Sequence, residues 1–519
     1  MVLLGDILDR NARRHPHQTA VVFEGERHTF AQLQDRATRL ANGFLSLGAQ
    51  KGDRVAVLAQ NCSEYVEIYC AAARAGLVTV PVNWRFVEKE LVKVINYVEP
   101  HTLVVESELA PTVEAIRSQI PTVKSIINFG GLRHGMEGYE SLIARSPSLA
   151  VPVQVDLDDL ACLIHTSGTT GIPKLVMWTH RNWVAGALDV IIEMGITGRD
   201  VGLQVIPGFH IGFAWSMLVY LYRGCTQVVM RRFDPPAVLD TVEQERVTTT
   251  IWVPTMIISL LEQPDLEQHD LSSLRLVMYG ASPMPVPVLE RAIRVLGPVF
   301  TQVYGLSEQS GALTRLPREE HILDGTEVER RRLGSCGTEM LSDWVRVVDD
   351  QGADVASGQV GEIVARGPNI MKGYWRQEGY TEQVLRDGWL HTGDLAMVDG
   401  DGYIYVVDRQ KDIIISGGEN ISSREVEEAI YSHPAVLECA VIGIPDPKWG
   451  EAVAALVVLK PGHTAAAEDI VQVCHENLAS FKKPRVVSFV DALPRNPMGK
   501  VMKETLREKY WQGYERRVH

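Results

Sequence analysis

Short runs of Val, Ile and Leu alternate with helix-length amphipathic segments in two long stretches of this chain, and that alternation leaves few folds open. In the first stretch, Thr29-x-x-Gln32 reads as a capping box that opens a helix through Leu47, ended by Gly48. Strands are expected at 55–58, 78–82 and 103–106, with helices at 65–74 and 87–98 between them. The rhythm restarts after Asp159, with strands at 160–165, 203–206, 226–230, 250–253, 274–279 and 299–304. Helices at 183–194, 211–222, 237–245 and 286–296 separate most of them. Strand, helix, strand with short punctuation builds parallel βαβ units, so the expected class is α/β. After about Arg330 short β pieces such as 344–348 and 361–365 appear between Gly-rich turns, which reads as a small β-rich subdomain. Beyond 403–407, a helix at 423–431, strands at 439–444 and 452–459, a helix at 468–478 and a strand at 485–490 make a compact α+β module. The expected organisation is a large N-terminal domain of βαβ-built sheets over residues 1–408 and a small α+β C-terminal domain over 409–519.

Composition narrows the function classes. At 519 residues the chain exceeds a single small domain. Lys and Arg number 51 and Asp and Glu 65, a net charge of −14, which argues against a general binder of nucleic acid or of anionic membranes. The longest apolar run, Ile211 to Tyr222, falls short of the roughly 20 residues a membrane span needs, so a buried helix is expected there. The first residues, Met1 to Arg14, carry charges every few positions and no apolar signal core, so a cytoplasmic protein is expected. Seven scattered cysteines with no C-x-x-C pair suggest neither a disulfide framework nor a zinc site.

The chemistry is concentrated in a few segments. Strand 160–165 runs into Thr166, Ser167, Gly168, Thr169, Thr170, Gly171, Ile172, Pro173 and Lys174. Two glycines let backbone N–H groups turn toward a phosphate, four hydroxyls add donors, and Lys174 adds charge. The spacing is not that of a Walker A loop, which needs Gly-x-x-x-x-Gly-Lys-Ser/Thr. Tyr304-Gly305-Leu306-Ser307-Glu308 follows another strand, at the end where open α/β sheets take ligands. No Ser/His/Asp triad or cysteine nucleophile stands out.

At these motifs the chain resembles the acyl-adenylate-forming superfamily, which holds acyl-CoA synthetases, peptide-synthetase adenylation domains and beetle luciferases. The layout is that of a free-standing AMP-forming acyl-CoA synthetase, and the resemblance covers almost the whole chain. It implies ATP and Mg²⁺ as cofactors, with CoA as second substrate. Thr166 through Gly171 and Lys174 would hold the phosphates. Tyr304 would stack on adenine, Ser307 would contact the α-phosphate, and Glu308 would bind the metal. Gln302, Gly305 and the segment Gly280-Ala281-Ser282 would line the nucleotide pocket. Asp394, in Trp389-Leu-His-Thr-Gly-Asp, would accept the ribose hydroxyls, and Arg409 would touch ribose and phosphate. Lys500, in Pro494-Arg-Asn-Pro-Met-Gly-Lys, would bridge the acyl carboxylate and the α-phosphate.

By the same resemblance the C-terminal domain is mobile about a hinge at Lys411. Gly417, Gly418 and Glu419 would line the second-substrate tunnel. His210, Gly212, Trp215, Ser216, Val303 and Gly311 would line the acyl pocket, with Lys500, Glu308, Thr166 and His210 as catalytic residues. The pocket segments 210–216, 278–282 and 303–312 contain no Arg or Lys, which favours an apolar aliphatic or aromatic monocarboxylic acid. The expected reaction is AMP-forming acid–CoA ligation, the alternatives being acyl transfer to an amine or amino acid, or to a carrier protein. The partners are then a small-molecule acid, ATP and CoA, with no nucleic acid and no membrane span; a homodimer is left open. The chain departs from the family pattern at His165, where Tyr is usual, and at Leu175, where Gly is usual.

Overall fold

The structure is a computed structural model that describes residues 2–131, 133–165, 174–409, 412–416, 419–496 and 500–512, with Arg409 through its backbone only. Two large sheets form the body. One has nine strands, in the order Thr338–Glu339, Thr314–Leu316, Phe300–Tyr304, Leu276–Gly280, Thr249–Trp252, Val201–Gln204, Thr226–Val229, Thr19–Phe23 and Glu26–Thr29. The other has eight and is built around the parallel strands Val78–Val82, Arg54–Leu58, Thr102–Glu106 and Ser125–Phe129. The largest core cluster includes residues of helices Phe30–Ser46, Ser63–Arg74, His180–Glu193 and Ile211–Arg223, with Tyr65, Tyr69, Trp183 and Phe213 all but fully buried. A five-stranded sheet over residues 344–409 and a second over 414–489 complete the chain. All seven cysteines are buried and free. Among the described residues no helix is long and apolar enough to cross a membrane.

Three departures from the expected elements have local causes. Strand Leu160–His165 is followed not by a helix but by a second strand, Leu175–Thr179, paired antiparallel to it from His165↔Leu175 to Leu160↔Thr179. Leu175, at the place where Gly is usual, is fully buried and opens the returning strand. The next helix begins at His180 rather than at Trp183, because Thr179 Oγ1 accepts from the Asn182 N–H at 3.2 Å and Asn182 Oδ1 takes the Thr179 N–H at 3.1 Å. That is a capping box with Asn in the place of Glu or Gln. At the N-terminus, Leu4–Arg14 is an amphipathic helix that buries Leu4, Ile7, Leu8 and Asn11. Its interleaved charges hide the i, i+3, i+4 pattern from a sequence reading.

Parallel strands Leu276–Gly280 and Phe300–Tyr304 are neighbours, registered Tyr279↔Gln302 and Gly280↔Val303, so they end together at one sheet edge. A Cβ on Gly280 would stand 2.1 Å from the Val303 carbonyl oxygen, which is why only glycine closes that strand. The next residue, Ala281, has φ of +66°, a left-handed conformation that a non-glycine residue holds only where its surroundings impose it.

A buried acid braces the segment after Tyr304. Asp343 is 6% exposed, and its Oδ2 accepts from Asn369 Nδ2 at 2.9 Å, while the Asn369 carbonyl takes the Ser310 N–H at 2.9 Å. Neither Asp343 Oδ1 nor Asn369 Oδ1 has a partner among the described residues, and both crowd over Gly367. Burial raises the Asp343 carboxyl to about 7, with the nearby Asp189 adding to the shift. The folded state therefore keeps a proton that the unfolded chain releases near its ordinary 3.8. The unfolded state binds fewer protons between those values, so this group's contribution to stability falls as pH rises from about 4 to about 7. Asp343→Asn is expected to flatten that part of the curve of Tm against pH. An unchanged slope in the variant would show that the acid ionises freely in the fold.

Candidate active site

Residues from the middle and the C-terminal part of the chain meet around one cavity of about 690 Å³. From the large sheet come Ala281, Ser282, Gln302, Val303, Tyr304 and Gly305; from the five-stranded sheet comes Asp394; from near the C-terminus comes Lys500. Glu308, Lys174 and His210 are not among the lining residues.

Tyr304 ends its strand with its hydroxyl donated to Asp394 Oδ2 at 2.7 Å. Burial and the Asp394 charge hold the phenol well above its ordinary value, so it stays a donor. Asp394 is 6% exposed and sits in strand Trp389–Val398, opposite Arg409. The strand segment before it is fastened at three points. Thr392 Oγ1 donates to the Ile363 carbonyl at 2.7 Å and accepts from the Asp394 N–H at 3.1 Å, and Glu362 Oε1 takes the Gly393 N–H at 2.9 Å. Gly393 has φ of +71°, so the Thr-Gly-Asp order is a backbone requirement as well as a chemical one. The Gln302 side-chain carbonyl is buried with no partner among the described residues.

Lys500 is placed by its own loop. The Asn496 N–H donates to the Lys500 carbonyl at 2.8 Å, and the Lys500 N–H returns to Asn496 Oδ1 at 3.0 Å. The C-terminal module is held against the large domain through helix Ser423–Tyr431. Arg424 donates to the carbonyls of Val406 at 2.6 Å and Gly334 at 3.2 Å, and Asp408 Oδ2 accepts from Ser423 N–H and Oγ at 2.8 and 2.6 Å. Lys503, half-buried beside them, pairs with Glu427 at 2.7 Å.

Glu308 is gripped by the segment around residue 372. Its carbonyl accepts from the Met371 N–H at 2.9 Å, and its Oε1 accepts from the Tyr374 hydroxyl at 2.6 Å. The carbonyl of Ser307 takes the Trp178 indole N–H at 3.1 Å. Lys174 Nζ stands 3.3 Å from the ring centroid of Tyr380. Sequence reasoning missed Trp178, Tyr374, Tyr380 and Glu362. A Gly-Tyr-Trp run and a lone Tyr read as ordinary core aromatics, and nothing in their local pattern marks them.

Of the expected acyl-pocket residues, His210, Gly212, Trp215 and Ser216 lie at the start of helix Ile211–Arg223, while Val303 lines the cavity. His210 caps that helix, its Nδ1 accepting from the Gly212 N–H at 3.0 Å, and desolvation pushes the ring down to about 3. It is a neutral imidazole with the proton on Nε2. Trp215 and Gly186 close on Gly311, whose Cβ would stand 3.3 Å from the Trp215 indole nitrogen and from Gly186. Gly311 has φ of +111°. Ser216 turns inward instead: its single hydroxyl proton lies between two acceptors, Gln204 Oε1 at 2.7 Å and the Gly212 carbonyl at 2.6 Å, and the residue is 2% exposed. His165 meets the Phe86 ring edge-on with centroids 6.1 Å apart, and burial lowers it to about 4. Glu419 is exposed on strand Glu419–Ile421, away from the cavity. Residues 166–171, Lys411, Gly417, Gly418 and the Arg409 side chain lie outside what the structure describes.

A family model described as AMP-binding enzyme matches residues 8–375. The chain belongs to the AMP-binding enzyme family. A second model, the AMP-binding enzyme C-terminal domain, matches residues 425–500. As a member, this AMP-binding enzyme binds ATP and forms an acyl-adenylate, and it is an AMP-forming acid ligase of the acyl-CoA synthetase type. Among curated proteins it is 39% identical over 508 residues to a feruloyl-CoA synthase from an Amycolatopsis species, covering 98% of this chain and 99% of that one. Among solved structures it is similar to the anthranilate CoA ligase AuaEII in complex with anthranoyl-AMP, with a TM-score of 0.91 at 27% identity over 98% of this chain and 97% of that one. It is also similar to the amide bond synthetase McbA from Marinactinospora thermotolerans, with a TM-score of 0.89 at 29% identity over 98% and 99%.

Proposed function

We propose that this enzyme activates an apolar, preferentially aromatic monocarboxylic acid with ATP and passes the acyl group to the thiol of CoA. The observation that carries the reading is the convergence of Tyr304, Asp394 and Lys500 on one cavity from three separate parts of the chain. A carboxylate is a poor electrophile because oxide is a poor leaving group. In the first step its oxygen bonds to the α-phosphorus and the bond to the β-phosphate oxygen breaks, releasing pyrophosphate. In the second the CoA sulfur bonds to the acyl carbon, AMP leaves with the carboxyl oxygen, and the thiol proton goes to solvent.

The first step brings two anions together, so positioning and positive charge do most of the catalysis. Lys500 lies between the acyl carboxylate and the α-phosphate. Lys174 and the N–H groups of residues 166–171 hold the β- and γ-phosphates. Asp394, steadied by the Tyr304 hydroxyl, accepts the ribose hydroxyls, and Gln302, Gly305 and residues 280–282 line the base with the Tyr304 ring. The Glu308 carboxylate, fixed by Tyr374, is a hard oxygen donor of the kind Mg²⁺ takes together with phosphate oxygens and water. Bound there, the ion would neutralise phosphate charge. Residues 409–519 turn about Lys411 between the two steps, bringing Gly417, Gly418 and Glu419 to the CoA tunnel.

The absence of Lys and Arg from 210–216, 278–282 and 303–312 supports an uncharged acyl body, and the feruloyl- and anthranilate-activating relatives support an aromatic one. The likeness to an amide bond synthetase supports a second reading, in which an amine replaces the thiol. The test is acid-dependent ATP–pyrophosphate exchange over a panel of aryl and aliphatic acids, followed by product analysis with CoA and with amines. Thioester formation with aryl acids is the expected outcome. Exchange with no thioester but with amide selects the second reading, and no exchange with any acid overturns both.

A further inference from the structure

The Glu308 carboxylate and the Lys174 ammonium meet on one pair of tyrosines. The Tyr374 hydroxyl donates to Glu308 Oε1 at 2.6 Å. The Tyr374 ring packs on Tyr380 with centroids 5.1 Å apart at 52°. Lys174 Nζ sits 3.3 Å from the Tyr380 centroid and 5.8 Å from that of Tyr374. Tyr374 is seated against strand Leu175–Thr179, and Tyr380 is carried on the short helix that follows Tyr374. Tyr374 pairs with Val176 in the sheet, and the Trp375 N–H donates to the Leu175 carbonyl at 2.8 Å. Thr381 Oγ1 accepts from the Tyr374 N–H and donates to the Gln377 carbonyl, both at 2.9 Å, which fixes helix Glu378–Val384 and with it Tyr380.

A lysine has four rotatable carbons to freeze before its charge is useful. A carboxylate seat would hold it but would compete with the phosphates for the ammonium. An aromatic face attracts the ammonium through the ring quadrupole and leaves the N–H donors on the far side free for an anion. Tyr374 does the complementary work on the acid: it occupies Oε1 and so sets the direction of the whole carboxylate. We propose that Tyr374 and Tyr380 are a positioning pair for the nucleotide triphosphate, Tyr380 presenting Lys174 to the phosphates and Tyr374 orienting Glu308. This rests on the reading of the chain as an ATP-using ligase.

The experiment measures ATP binding by calorimetry, with and without MgCl₂, alongside steady-state kinetics and Tm for each variant. Tyr380→Leu is expected to weaken ATP binding and raise the KM for ATP about threefold to tenfold, with kcat at saturating ATP nearly unchanged. Tyr380→Phe, which keeps the ring, should restore the wild-type values. In a Lys174→Ala background Tyr380→Leu should have no further effect. Tyr374→Phe should raise the MgCl₂ concentration that half-maximally tightens ATP binding and leave metal-free binding unchanged. Wild-type affinity in Tyr380→Leu, equal damage from Phe and Leu, or an undiminished Leu effect without Lys174 would each overturn the proposal. A wild-type protein that binds no ATP would instead overturn the ligase reading.

Discussion

Lys500→Ala is expected to lower acid-dependent ATP–pyrophosphate exchange by about 10²–10³-fold, the usual loss when one group stabilising developing charge is removed from an active site. Lys500 shares its cavity with Tyr304 and Asp394, and its loop is closed by two hydrogen bonds to Asn496 that the substitution leaves in place. The loss should therefore be one of charge and not of fold. Thioester formation from chemically supplied acyl-AMP should survive, because no carboxylate has then to approach a phosphate. Lys411→Pro should show the opposite split: a fixed φ and a missing N–H hinder rotation, so adenylation remains measurable while transfer falls. If Lys500→Ala loses both half-reactions equally, or Lys411→Pro loses neither, the two-conformation mechanism does not hold for this enzyme.

Glu308→Gln is the second large effect. An amide oxygen can still accept the Tyr374 hydroxyl, and the Met371 contact is to backbone, so the local structure should persist. What disappears is the negative charge and one hard oxygen. Turnover is expected to fall by about 10²-fold, with a raised Mg²⁺ requirement in both kinetics and nucleotide binding. Metal-free ATP binding should not weaken, since removing an anion near phosphates reduces repulsion. Near-normal turnover at saturating Mg²⁺ would show that the metal is held elsewhere. Unlike Tyr374→Phe, which disturbs only the carboxylate's orientation, this change should not be recovered by adding more metal.

Much of the architecture was legible in advance because period and punctuation are local. Strand Leu160–His165 and helix Ser423–Tyr431 have the bounds their patterns suggest. The helix from Ile211 runs on only to Arg223, where Gly224, with φ of +80°, turns the chain out of it. The returning strand Leu175–Thr179 was not foreseen, because its five residues carry no alternation and are stabilised by pairing with a partner across the loop. Expected strand 439–444 is observed as Val436–Asp446, extended by its long antiparallel pairing with Gly450–Leu459. At the site, the Nδ1 of His210 caps the helix that follows, a contact that no spacing in the sequence announces.

The sequence by itself determined the family, because its motifs are short local runs whose order and spacing are visible without a fold. Thr392-Gly393-Asp394 is such a run, and so is the Gly/Ser/Thr run ending in Lys174. Only the tertiary structure decided how those units are braced. Tyr304 reaches Asp394 across 90 residues and Tyr374 reaches Glu308 across 66, while Tyr380 meets Lys174 from another helix altogether. Such pairs have no spacing rule. They exist because two sheet edges and one short helix converge, and the free energy of each hydrogen bond or ring contact is available only after the chain has folded around it.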